Sequence, residues 1–100
     1  MLKSQELKDS HKSKKLRDSA RNQACVMCLD DSPGLVVLAH RNIPGFFGTG
    51  MKGPDWWSAE LCYKCHEYGD NEGRKDYQWW ERAVFLTTRR RIMRGLVEVA

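Results

Sequence analysis

Two cysteine pairs carry the most specific chemistry in this sequence. Cys25-Val26-Met27-Cys28 and Cys62-Tyr63-Lys64-Cys65 share a two-residue spacing and use every cysteine in the chain. Each pair offers two thiolates from one tight turn, and two such pairs suit a tetrahedral zinc ion. Four thiolates close the coordination sphere, so a zinc held by Cys25, Cys28, Cys62 and Cys65 is structural. Thirty-three residues separate Cys28 from Cys62, more than the usual zinc-ribbon spacer. A strand and a long loop would account for the surplus. The alternatives are four unrelated buried thiols or a redox pair.

Four polar residues accompany the cysteines. His66 directly follows Cys65, and Asp70 lies four residues further on. On a helix the two project from one face, and an imidazole and a carboxylate one turn apart can share a divalent cation. A helix-surface histidine and a solvated acid are the plainer readings. His40 ends an apolar run, where a lone histidine is more often structural than catalytic. Asp55 follows Pro54 at the end of a glycine-rich stretch and is placed to cap or brace it.

The elements that must position these residues follow from local pattern. Residues 1–15 are charged and serine-rich and read as a flexible basic segment. Leu16 to Arg21 suggests a short helix leading into the first cysteine pair. Asp30-Asp31-Ser32-Pro33-Gly34 reads as a turn. Leu35 to Ala39, apolar and β-branched, reads as a strand ending at His40. Ile43 to Pro54 holds Gly45, Gly48, Gly50 and Gly53 with two prolines and reads as a long functional loop. Trp56 to Leu61 suggests a second strand. A helix should open near Cys65 and weaken between Gly69 and Gly73. Asp76 has the character of an N-cap for a final helix over Tyr77–Arg94, with Gly95 as its stop. Trp79, Ala83, Leu86, Met93 and Val97 form the expected apolar stripe, interrupted by Arg90.

The chain has 100 residues with 17 Lys+Arg against 13 Asp+Glu, a formal charge of +4. That length allows one small domain, and small domains are often stapled by metal or disulfides. A basic start followed by an apolar run is absent, and no apolar stretch is long enough to span a bilayer. The expected location is the cytoplasm, where thiols stay reduced and metal is favoured over disulfide. Positive charge gathers at the ends, with Lys12, Lys14, Lys15, Arg17 and Arg21 at one and Arg89, Arg90, Arg91 and Arg94 at the other. Such clusters attract phosphate backbones. Arg17, Arg21, Arg41, Lys52, Arg89, Arg90 and Arg91 are the candidate DNA contacts.

In their order, a strand ending in histidine, a long loop, an Asn/Asp-type residue and Cys-x-x-Cys-His opening a helix resemble the HNH (ββα-metal) endonucleases. Leu38-Ala39-His40-Arg41, Gly48-Thr49-Gly50, Pro54-Asp55 and Cys62-x-x-Cys65-His66-x-x-x-Asp70 resemble a branch of small prophage-encoded, YbcO-like nucleases. The resemblance covers about residues 16–100. It implies an α+β fold: a small zinc-stapled ββα-metal core with a C-terminal helix, residues 16–100 forming the nuclease domain. It further implies His40 as the general base, His66 as a ligand of a catalytic Mg²⁺ or Mn²⁺, Asp55 in the place of a central loop-holding Asn, and Asp70 where some members have a second metal-binding histidine. One departure is plain. Many members carry a metal-binding Asp just before the base, and here Ala39 stands there, which leaves the cation to His66 with Asp70, Asp55 or water. The implied activity is metal-dependent hydrolysis of DNA phosphodiesters by a phage or prophage endonuclease in the cytoplasm of a bacterial host, with DNA as partner and a recombination protein as a further one. The competing reading is a non-catalytic zinc-ribbon module that binds DNA or protein. A third is an assembly protein that uses exposed tryptophans.

Overall fold

The computed structural model describes residues 13–32, 34–42 and 53–96. Residues 1–12 of the basic segment, most of the glycine-rich loop with Lys52, and Val97 lie outside the described residues. Within them the chain is a small α+β structure with a two-stranded sheet and three α-helices. The order is α1 (Lys14–Ala20), β1 (Val36–His40), β2 (Ser58–Cys62), α2 (Tyr63–Asp70), a 3₁₀ turn (Glu72–Lys75) and α3 (Tyr77–Met93).

The first helix starts two residues earlier than its apolar pattern suggests, because Ser13 caps it. The Ser13 hydroxyl accepts from the Leu16 amide at 3.2 Å, which satisfies one of the open donors of the first turn. The two strands are antiparallel, pairing Val36 with Cys62, Leu38 with Glu60 and His40 with Ser58. Directly paired residues stand on the same face of the sheet, so the end of β1 and the start of β2 bring His40 beside Ser58. Every residue of β2 is buried, enclosed by β1 along one edge and by α3 and the first cysteine turn along the other. The Glu60 amide donates to Thr87 Oγ1 at 3.0 Å, and the Val26 amide donates to the Glu60 carbonyl at 3.0 Å. The open edge of the hairpin therefore has partners on both of its ladder groups at that position.

The second helix begins at Tyr63, directly after Cys62, and continues through Gly69 to Asp70. The helix ends at Asp70, inside the Gly69–Gly73 stretch where weakening is expected, while Gly69 itself stays helical and is used for packing. A methyl group at Gly69 would lie 2.6 Å from Trp80 Cζ2 and 2.9 Å from Trp79 Cζ3. The Trp80 indole also donates to the Gly69 carbonyl at 3.1 Å. Gly69 is thus the seat on which α3 rests its two tryptophans.

The final helix has the expected cap, since the Asp76 carboxylate accepts from the Trp79 amide at 3.1 Å. It also has the expected stop, with Gly95 at φ 74°. Its buried face overlaps the expected stripe, with Ala83 in the core and Trp79 and Leu86 partly buried against it. Trp80, Ala83, Val84, Thr87 and Arg91 are buried, whereas Met93 is 80% exposed. The stripe is turned by about one residue because two polar side chains, Thr87 and Arg91, take core positions to serve β2.

Gly69→Ala should lower the stability of the fold by about 1–3 kcal/mol, the usual cost of forcing a methyl into a filled contact. The better helix propensity of alanine, worth up to about 1 kcal/mol, offsets only part of it. Urea denaturation measures the difference, and a neutral or stabilising result would mean that α2 and α3 are not packed as described.

Candidate metal centre and histidine–carboxylate pairs

The four cysteines converge. Their sulfurs lie within 4.8 Å of one another, with Cys28 Sγ and Cys62 Sγ 3.5 Å apart. Four sulfurs around zinc at about 2.3 Å stand about 3.8 Å from each other, so the spacing suits one tetrahedral ion. Cys25 and Cys62 are buried, Cys65 is half-buried and Cys28 is exposed, and all four are free thiols. The first turn closes through the Leu29 amide donating to the Cys25 carbonyl at 2.9 Å, with Leu29 in the left-handed region at φ 64°.

The electrostatics of the cluster favour a cation. Burial alone would raise the Cys25 thiol, but the amides of Cys28, Cys62 and Met27 point at its sulfur and bring it down from 9.0 to about 7. Cys65 is pushed the other way, by burial and then by its neighbour Cys25. One thiolate forms readily, whereas Cys65 and Cys28 resist until positive charge arrives beside them. A metal such as zinc fits this donor set.

His40 and Asp55 form the second feature. His40 Nε2 lies 2.7 Å from Asp55 Oδ1. The other carboxylate oxygen accepts from the Ser13 amide at 2.5 Å, and Arg17 Nε lies 3.4 Å away. Burial alone would raise the Asp55 carboxyl. The hydrogen bonds from His40 and Ser13 and the charges of His40 and Arg17 outweigh that and hold it below its ordinary value. An ionised carboxylate only accepts, so Nε2 carries the proton of the His40–Asp55 bond. In the neutral ring the basic lone pair then sits on Nδ1. The His40 side chain is 31% exposed and that of Asp55 only 6%, so the ring is reachable while its brace is enclosed.

The brace is itself held from α3. Arg91 Nη2 donates to Ser58 Oγ at 3.0 Å, and the Ser58 hydroxyl donates to the Asp55 carbonyl. The Asn42 side chain accepts from the Gly53 amide at 2.6 Å, closing the base of the long loop just before Asp55. Sequence reasoning missed this chain of contacts, and also missed Glu60. Glu60 is fully buried on β2, paired with Arg90 Nη1 at 3.2 Å. Burial raises its carboxyl despite the pull of Arg91 and Arg90. A signal was present: Arg89, Arg90 and Arg91 have no acid four residues away on their own helix, so their partners had to lie elsewhere.

His66 and Asp70 form a second pair on α2, with Nε2 and Oδ2 3.1 Å apart and both side chains partly exposed. Among the described residues, the cysteine quartet is the one group of three or more His, Cys, Asp or Glu side chains close enough to share an ion. His66–Asp70 and His40–Asp55 remain pairs.

The basic candidates divide. Arg17 and Arg21 are exposed on and after α1. Arg41 is buried, lies 5.2 Å from the ring centres of Tyr77 and Trp80 and donates to the Arg74 carbonyl at 3.2 Å. Arg91 is 2% exposed. Arg90 is half-buried and donates to the Ala24 carbonyl at 2.6 Å. Of the three consecutive arginines only Arg89 is exposed, its guanidinium 5.9 Å from the Phe85 ring centre. Within the expected cationic run Arg90 and Arg91 are internal scaffolding, while Arg89 and Arg94 are exposed. None of the described helices is long and apolar enough to cross a membrane.

The chain is 36% identical over 56 residues to a protein of Escherichia coli (strain K12) named "Putative nuclease YbcO" and, equally, to one of Enterobacteria phage 82 with the same name. The match covers 52% of this chain and 58% of each relative, so the chain spans little more than half the length of the curated relatives it matches. No family model matches it, and no solved structure does.

A carboxylate whose ionisation is favoured by the fold contributes stability above its unfolded value, near 4, and loses it as the pH falls through the lower folded value. At pH 7 that contribution is fully present. Asp55→Asn should therefore cost about 1.5–3 kcal/mol at neutral pH, the range for a hydrogen bond to a charged group. It should also speed amide exchange at Ser13. Urea denaturation and hydrogen exchange by mass spectrometry read the two effects, and unchanged exchange at Ser13 would contradict the contact.

Proposed function

We propose that this chain is a metal-dependent DNA endonuclease of the HNH type, with His40 as general base. The observation that carries the reading is the His40–Asp55 pair: a reachable imidazole whose Nε2 is held by a buried, ionised carboxylate. The similarity to two proteins that bear a nuclease name supports the class of reaction. The order hairpin, cysteine pair and helix supports a ββα-metal core.

In this reading His40 Nδ1 takes a proton from a water aligned with the scissile phosphorus, and Asp55 steadies the imidazolium that forms. Asp55 is a positioning residue, and Ser58 and Arg91 fix its backbone. His66 and Asp70 give one nitrogen and one oxygen in a partly open place, a donor set that suits Mg²⁺ or Mn²⁺ with its remaining positions left to water and phosphate. A cation bound there would neutralise the phosphate and the leaving 3′ oxygen. Arg17, whose guanidinium stands beside Asp55, and Arg21 would hold the backbone without reading bases. The cysteine zinc is structural.

A non-catalytic zinc module that binds DNA or protein is the second reading, and Ala39 favours it. Ala39 is fully buried in the place where many HNH enzymes carry a metal-binding Asp.

The deciding assay offers plasmid, branched DNA and RNA to the pure protein with Mg²⁺, Mn²⁺ or chelator. DNA cleavage that needs the cation is expected. His40→Ala should lose on the order of a hundredfold or more in rate, as removal of an acid–base group does, with zinc content and folding retained. His66→Ala should regain activity as Mg²⁺ or Mn²⁺ is raised, whereas His40→Ala should not. No cleavage under any metal, or a His40→Ala chain that fails to fold, would leave the binding module as the function.

A further inference from the structure

A groove of about 590 Å³ runs between the first cysteine turn and α3, and neither His40 nor His66 lines it. Val26, Met27 and Leu29 enter it from the turn, and Leu86 and Met93 from the helix. Arg82, Arg89, Arg90 and Arg94 complete its walls with Gln23, and no carboxylate is among its lining residues within the described part of the chain. We propose that this groove docks an acidic, amphipathic peptide segment of a partner protein.

Leu29 is 71% exposed and Met93 80%. On the adjoining shoulder of α3 a second hollow, lined by Phe85, Thr88, Arg89, Ile92 and Met93, continues the apolar surface. Large apolar side chains gathered on one face, rimmed by charge, mark an interaction site. The groove is also preformed. The Arg90 bond to the Ala24 carbonyl ties α3 to the residue before Cys25, so its two walls are held in register before any partner arrives. Arg90 is spent in that role, while Arg82, Arg89 and Arg94 are exposed.

Charge then selects the occupant. Guanidinium groups bind carboxylates in paired, charge-assisted hydrogen bonds, and among the described residues the lining offers no acid to compete. A second copy of this chain docking through the same patch would set the arginines against each other, and like charges across an interface are costly. A nucleic acid strand would satisfy the arginines through its phosphates but would leave the aliphatic floor unfilled. Among the described residues the groove is lined by no aromatic ring on which a base would stack. Leucine, valine and the pliable methionines instead suit apolar peptide side chains. The proposal does not depend on the nuclease reading.

Fluorescence anisotropy on the full, zinc-loaded chain tests it with three labelled probes: a peptide of repeating Asp-Leu-Glu-Phe, its counterpart with lysine in place of each acid, and a single-stranded oligonucleotide. The acidic peptide should bind with a Kd on the order of ten micromolar and the lysine peptide should not. Arg82→Glu combined with Arg89→Glu should weaken the acidic peptide tenfold or more. So should Leu29→Asn, a change the fold tolerates because asparagine accepts the left-handed backbone. Binding of the acidic peptide that neither variant weakens would overturn the proposal. So would its failure to bind, displacement of the bound peptide by the oligonucleotide through the same arginines, or self-association of the chain that the arginine variant dissolves.

Discussion

Four sulfurs drawn from two distant turns must meet in one small volume, and the rest of this fold is arranged around that requirement. The second turn straddles the junction of β2 and α2, so Cys62 and Cys65 are placed by the hairpin and the helix together. The first turn has no strand of its own. It is placed from outside, by the Val26 amide on the Glu60 carbonyl and by Arg90 on the Ala24 carbonyl. Thiolates crowded to this degree repel one another, and the opposite shifts of Cys25 and Cys65 express that conflict. A divalent ion bound there would resolve it, and in a domain this small its binding free energy would become folding free energy.

A polar spine joins this centre to the histidine pair. Thr87, Arg90 and Arg91 of α3 meet the backbone and side chains of β2, where a conventional core would have aliphatic contacts. Buried ion pairs such as Glu60–Arg90 contribute little net stability against an apolar alternative, but breaking one is costly. Their value here is positional. From Arg91 the contacts pass through Ser58 to the Asp55 backbone, and from the Asp55 carboxylate to His40 on one side and Ser13 on the other. The N-terminal helix, the long loop, the hairpin and the final helix thus meet at one aspartate.

The parts of this arrangement visible in sequence are those governed by local chemistry. The cysteine spacing, the Asp76 cap, the Gly95 stop and the strand ending at His40 each depend on a few adjacent residues. The pairing of His66 with Asp70 follows from helical periodicity alone. What sequence pattern hid was tertiary. Gly69 has the character of a helix breaker until Trp79 and Trp80 are seen resting on it. Arg90 interrupts an apolar stripe until its partners on β2 and before Cys25 are known. Arg41 and Arg91 have the composition of a nucleic-acid surface, yet they lie inside, one against Tyr77 and Trp80 and the other on Ser58. Apolar periodicity assumes that polar side chains face water, and α3 breaks that assumption at Thr87 and Arg91.

The central claim is that Cys25, Cys28, Cys62 and Cys65 hold one ion as a closed set, leaving His66 free for other work. X-ray absorption at the zinc edge of the purified chain tests this most directly. The account predicts about one zinc per chain, with four sulfur neighbours near 2.3 Å and no nitrogen shell. A mixed sulfur–nitrogen shell would mean that His66 belongs to the structural site, and a chain that folds without any metal would contradict the account altogether.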